Sequence, residues 1–398
     1  MDLRGPNAQI VPEVHPLPTI EELQTRLKGT VYSKLDLSSA YHQLELHPDS
    51  RDITAFITHE GLMRFKRVPF GLVSAGSACQ KLLDDLLRGI PGCGHYLDDI
   101  LVSGATRRQH DERLRQVLDR LREAHVTVNM EKSVFAREEV DFCGHAMSAT
   151  GITPTAGTVA AMEDAPQPQN LQELRSFLGL AGWFARFIRG YADVVRPLSA
   201  MMKKESKFLW TAEAEQAFHR IKKLVTSRPI VQPFDPALPT VVTSDASDRG
   251  AGAVLAQVHP DGTERPVAYW SRSFTDTERR YSVSERETLS AVQAVERWRI
   301  YLWGRFVTLR TGHSALTTLL SPKFSGRAGA RVARWQARLQ PYSYRVVYTS
   351  LSSLQRRTTP RSQKTAYGKS RRQTQPCKNY ERRSPAAGPT RRNAALPR

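Results

Sequence analysis

Two aspartates stand side by side at Asp98-Asp99, flanked by His95-Tyr96-Leu97 on one side and Ile100-Leu101-Val102 on the other. Short β-prone runs around such a pair predict a hairpin with both acids at its tip. Adjacent carboxylates repel, so a fold that keeps them together ordinarily supplies a cation. A plain polar turn gives the same text, because aspartate is a common turn residue.

Asp36 narrows the choice. It sits in Lys34-Leu35-Asp36-Leu37, where apolar neighbours predict the end of a buried strand, and a buried carboxylate needs a partner. If that strand pairs with the hairpin, Asp36 and Asp98 can share two divalent ions, which activate a hydroxyl nucleophile and stabilise a leaving oxygen.

The surrounding text predicts strand, helix, hairpin and helix in turn. Thr19 caps a helix with Glu22 closing a capping box, and a hairpin centres on His59-Glu60-Gly61. Ala78, Leu82, Leu83, Leu86, Leu87 and Ile90 recur at helical spacing, and another helix covers about 108–124. This mixture reads as α+β, with helices on one face of an antiparallel sheet. Pro166 and Pro168 mark a linker before helices at 171–188 and 212–225. A three-stranded meander then runs through Val241-Val242, Ala253-Val254-Leu255 and Val267-Ala268-Tyr269 into a helix at about 284–298.

The 398 residues suit two or three domains. No apolar run is long enough for a membrane span, and Met1-Asp2-Leu3-Arg4-Gly5 does not open a signal peptide. The expectation is a soluble, intracellular chain that is not secreted. Cys79, Cys93, Cys143 and Cys377 lack paired C-x-x-C spacing, so reduced thiols are expected. Residues 349–398 carry 13 Lys and Arg against Glu381 alone, which is +12 of the net +19. The body is therefore near +7, compatible with phosphate binding and equally with an ordinary solvated surface. Beyond Tyr348 apolar periodicity stops, predicting a disordered Arg-rich tail.

Leu35-Asp36-Leu37-Ser38-Ser39-Ala40-Tyr41-His42-Gln43, Pro69-Phe70-Gly71-Leu72, Tyr96-Leu97-Asp98-Asp99-Ile100-Leu101-Val102, Phe142-Cys143-Gly144-His145 and Leu174-Arg175-Ser176-Phe177-Leu178-Gly179-Leu180 occur in one order. That ordered set resembles gypsy-type LTR retrotransposon polymerases over about residues 2–348. The resemblance implies a right-hand polymerase palm, with N-terminally truncated fingers, and a thumb. An α/β ribonuclease H-like domain and the basic tail follow. The expected boundaries are 1–148 for fingers remnant and palm, 149–235 for thumb and connecting helices, 236–348 for the ribonuclease H-like domain and 349–398 for the tail. Implied with it are RNA-directed DNA polymerase activity, two Mg²⁺ per active site, an RNA and DNA primer-template, deoxynucleoside triphosphates and no membrane. Asp36, Asp98 and Asp99 carry over as metal carboxylates and Tyr41 as the residue that screens the sugar 2′ position. Gln80 carries over as a template or nucleotide contact, and Lys132 as a residue near the triphosphate. Without the resemblance, Tyr41 reads as a core aromatic and Lys132 as a surface lysine. His42, His95 and His145 lack ligand spacing and read as structural.

In the second region Asp245, read as mid-strand, and Glu287 on the following helix match two of the three ribonuclease H carboxylates. Asp248 and Glu285 read as surface residues. Where the family usually has a third aspartate this chain has Gly312, which cannot ligate a cation, so RNA cleavage is expected to be lost or badly reduced. Element decay and gene-model error read identically here.

Three other departures stand out. The resemblance starts after the strand whose basic residues grip the triphosphate. Gly76 replaces a usual proline and Cys79 a usual aromatic. After Tyr348 a shifted reading frame accounts for the change of character better than a designed tail. The rival to an active enzyme is a catalytically inactive nucleic-acid-binding remnant; a third expectation is one piece of a longer polyprotein.

Overall fold

In the computed structural model, residues 2–202, 208–227, 229–321 and 329–349 are described. The expected tail lies outside them apart from Thr349, as does Cys377. A short helix α1 (Arg4–Gln9) precedes α2 (Ile20–Arg26), whose Thr19 and Glu22 form the expected capping box. Strand β1 (Val31–Leu37) follows, then the small hairpin of β2 (Phe56–Thr58) and β3 (Gly61–Met63). Next come α3 (Ala75–Leu87), β4 (Cys93–Tyr96), β5 (Asp99–Gly104), α4 (Arg107–Glu123) and β6 (Val128–Arg137).

These strands form an antiparallel sheet in the order β4-β5-β1-β6. Alternation along β1 and β5 sends Leu35, Leu37, Ile100 and Val102 to one face, where Leu83 and Leu87 of α3 and Val117 and Leu121 of α4 cover them. Each such aliphatic side chain contributes about 1.5–3 kcal/mol by leaving water. The opposite face carries Tyr32 and Leu101 under Leu23 and Leu27, with Val140, Phe142 and Met147. Helices on one face is therefore correct for α3 and α4 only. Tyr32 of β1 and Leu101 of β5 lie on the other parity and need a second cover, supplied by α2 and the meander of β7 (Glu139–Phe142), β8 (His145–Ser148) and β9 (Gly151–Pro154). Strand β8 pairs with β9, so this small sheet runs on to Pro154.

Helices α5 (Ala156–Glu163), α6 (Leu171–Trp183), α7 (Tyr191–Ala200) and α8 (Ala212–Thr226) follow. They share a core of Leu174, Phe177, Phe184, Leu198, Phe218 and Ile221. The sequence reading anticipated α6 and α8 and missed α5 and α7.

The last module opens on the expected meander, β10 (Thr240–Ala246), β11 (Gly250–Val258) and β12 (Glu264–Ser273). Then come α9 (Asp276–Arg279), α10 (Val283–Arg297), α11 (Arg299–Leu302), β13 (Phe306–Thr311), α12 (Leu316–Leu319), α13 (Ala330–Leu339) and β14 (Ser343–Tyr348). The sheet order is β12-β11-β10-β13-β14, antiparallel through the meander and parallel from β10 outward. Helices α10 and α13 bury Leu289, Val292, Val295 and Trp335 with the sheet residues Val242, Leu255 and Leu309.

Candidate active sites

Strand β1 lies directly beside β5, and their register opposes Asp36 to Asp99. Cross-strand partners share a face of the sheet, so Asp36 and Asp99 stand together on the face away from α3 and α4. Asp98 is exposed at the hairpin tip, near Tyr41 and Cys79, whose ionisation it discourages after burial has already raised both. The Cys79 thiol is pushed up to about 11.

The turn needs an unusual backbone. Leu97 has φ +54°, a left-handed conformation that costs a branched residue free energy and needs outside support. Gln80 supplies it: this side chain is fully buried, and its amide oxygen accepts the Leu97 N–H at 3.0 Å. Gln80 thus points inward at the turn, where its buried amide is satisfied by protein partners.

Lys34 was not anticipated. Its Nζ lies 3.0 Å from Asp99 Oδ2, with both side chains about three-quarters buried. Lys34 and Asp36 are two residues apart on one strand and share its face, which is the signal that could have found it. Among the described residues, Asp36 and Asp98 form no ion pair, and no three His, Cys, Asp or Glu side chains converge into a cage for a metal. The donors are nonetheless hard oxygens that already draw one positive charge from the protein, which suits Mg²⁺ held by one or two carboxylates and completed by phosphates and water.

Tyr41 packs edge-on to Phe70 with ring centroids 5.5 Å apart. A Cβ on Gly76 would sit 4.0 Å from the Tyr41 hydroxyl and 3.6 Å from Leu97, so a side chain fits there and glycine leaves a gap. Lys132 is exposed on β6, which pairs Asn129 with Asp36. Cys79 is buried against Leu83 and Leu35, so the missing ring volume falls within the core.

The second site is built differently. Asp245 is the penultimate residue of β10, not in its middle. Protein on one side raises its pKa although the residue still reaches solvent. Glu287 on α10 is 6% exposed, and its Oε2 has no partner. Burial and then the Asp245 charge push its carboxyl up to about 7. Register Ser244↔Thr311 between the parallel strands puts Gly312 one residue further on, beside Asp245. An orphaned carboxylate oxygen next to a second carboxylate fits a cation, and the place where a third ligand would stand has no side chain. Asp248 is exposed in the β10–β11 turn, whereas Glu285 caps α10 and pairs with Arg331 at 2.5 Å.

Residues 1–147 match the family described as reverse transcriptase (RNA-dependent DNA polymerase), and residues 210–309 match the RNase H-like domain found in reverse transcriptase. The chain therefore carries a reverse transcriptase domain followed by an RNase H-like domain. It is 33% identical over 352 residues to the retrovirus-related Pol polyprotein from transposon 297 of Drosophila melanogaster, covering 87% of this chain and 32% of that protein. It is 31% identical over 354 residues to the transposon Tf2-3 polyprotein of Schizosaccharomyces pombe, covering 87% and 26%. Among solved structures, the foamy viral protease-reverse transcriptase in complex with dsDNA matches with a TM-score of 0.78 at 25% identity, over 88% of this chain and 74% of that one. More particularly, then, the chain is similar to these retrotransposon polyproteins, and it spans about a third or less of their length. None of the described helices is long and apolar enough to cross a membrane.

Proposed function

We propose that the first module is an RNA-directed DNA polymerase and that the second no longer cleaves RNA. The observation that carries the first half is the pairing of Asp36 with Asp99 beneath a braced turn bearing Asp98. In this reading residues 2–154 act as palm with a small fingers remnant, and 155–235 as the thumb.

Asp36, Asp98 and Asp99 would hold two Mg²⁺, which when bound polarise the primer 3′-hydroxyl and neutralise charge on the leaving pyrophosphate. The chain's own contribution is placement. The β1–β5 register sets Asp36 against Asp99, Gln80 fixes the turn, and Lys34 pairs with Asp99 at 3.0 Å. Tyr41, held edge-on by Phe70, stands near Asp98 where it would meet the sugar of an incoming deoxynucleotide, and Lys132 on the neighbouring strand would face its phosphates. The primer-template would be an RNA and DNA pair, gripped mainly through phosphates by a basic body.

In the second module Asp245 and Glu287 would hold at most one cation weakly, since Gly312 adds no ligand. A Glu287 that is half protonated near neutral pH weakens that hold further.

Primer extension on an RNA template with Mg²⁺, run beside Asp98→Asn, tests the proposal. Extension that disappears in the variant is the expected result. Folded protein that binds primer-template and extends nothing would make the module a binding remnant instead.

A further inference from the structure

Along the β4 edge of the first sheet, an open cavity of about 630 Å³ is lined by His15, Arg26, Asp84, Arg88 and His95. Asp84 is the centre of its polar wall. His15 Nε2 lies 2.7 Å from one carboxylate oxygen and His95 Nε2 3.0 Å from the other, while the Gln80 amide nitrogen donates to Asp84 at 3.3 Å. Burial acts to raise the Asp84 pKa, but these hydrogen bonds outweigh it and hold the group below the ordinary aspartate range. An ionised Asp84 only accepts, so each neighbour must donate to it.

That requirement has a consequence one residue away. Gln80 has one end that donates and one that accepts, and Leu97 N–H needs an acceptor. With Asp84 demanding the NH₂ end, the carbonyl end can face only Leu97. A neutral or missing group at 84 removes that demand and leaves the Gln80 amide free to rotate its NH₂ against the Leu97 N–H, donor against donor. Gln80 and Asp84 are four residues apart on α3 and so share one helix face. His95 reaches the same carboxylate from β4, the strand that leads into the turn. Asp84 therefore ties the helix, the strand and the turn peptide together at one point.

We propose that Asp84 is a positioning residue: through Gln80 it holds the Leu97 peptide in its left-handed conformation and thereby sets Asp98 and Asp99 for metal binding. The catalytic half of this inference rests on the polymerase reading; the conformational half does not.

The test uses the full chain, labelled with ¹⁵N-leucine, and follows exchange of the Leu97 amide alongside primer extension. Asp84→Ala is expected to speed Leu97 exchange about tenfold, and to lower kcat with KM for the deoxynucleotide nearly unchanged. Gln80→Met should do the same, and Asp84→Ala added to Gln80→Met should change neither quantity further. Asp84→Glu, which restores an acceptor, should recover part of both. Unchanged Leu97 exchange in Asp84→Ala, or additive effects in the double variant, would overturn the proposal. Faster exchange in a chain whose parent extends no primer would uphold the brace and defeat the polymerase reading. Should Asp84→Ala fail to fold, Asp84→Asn, similar in shape and able to present either end to Gln80, gives the same comparison.

Discussion

The two sheets both carry carboxylates near strand ends, yet they treat them in opposite ways. In the first, Asp36 and Asp99 face each other on paired strands and Lys34 answers Asp99 with a charge. In the second, Asp245 has Glu287 beside it, buried and half protonated near neutrality, and Gly312 opposite. One carboxylate is matched by an internal cation, and the other, buried beside a second acid, is pushed toward holding a proton. The contrast teaches that such a site depends both on how many acids it has and on what neutralises them.

The largest effect that would break this comparison is at the hairpin tip. Asp98→Asn is expected to reduce primer extension by about 10²–10³-fold while leaving the thermal unfolding of the chain unchanged, because the residue is exposed. Retained extension in this variant would remove the first site from the account.

Restoring the second site sharpens the contrast. Gly312→Asp should raise Mg²⁺-dependent cleavage of the RNA strand of a hybrid by about a hundredfold over the parent. No gain in a folded variant would mean that the lost ligand is not what silences this module.

Protons give a third comparison. Glu287 has a folded pKa of about 7 against an ordinary 4.5, so its raised value favours the fold only while the group stays protonated. That contribution is whole below pH 4.5 and is lost as pH rises to about 7, a change of about 2–3 kcal/mol. Chemical unfolding in chelator at pH 5 and pH 8 should show the parent losing stability that Glu287→Gln keeps. Parallel losses in both proteins would place the titrating group elsewhere.

The smallest effect is at Lys34. Lys34→Met should raise Mg²⁺ affinity a few-fold by removing a competing charge, and should cost the fold no more than about 1 kcal/mol, as expected for a partly exposed ion pair. Weaker Mg²⁺ binding would show that Lys34 supports the ion instead of competing with it.

Much of this was legible in the text. The acids at 98 and 99 needed only short-range hairpin signals, and Asp36 only the apolar alternation around it. Parallel strands β13 and β14 were harder, because their pairing depends on a crossover that no local pattern announces. The strands of β7 to β9 are four residues each, too short for alternation to stand out. Helix α5 scatters alanine, glycine and threonine around its axis without an apolar stripe. Gln80 is harder to read for another reason. Its burial against Leu97 follows from the left-handed turn, and spacing alone does not reveal that an amide points inward.

The central claim is that one module is competent and the other is not, and a single reaction tests it. A labelled RNA template annealed to a labelled DNA primer, incubated with the chain, Mg²⁺ and deoxynucleotides, reports extension of one strand and cleavage of the other together. The account predicts extended DNA over intact RNA. Cleaved RNA beside an unextended primer would contradict it.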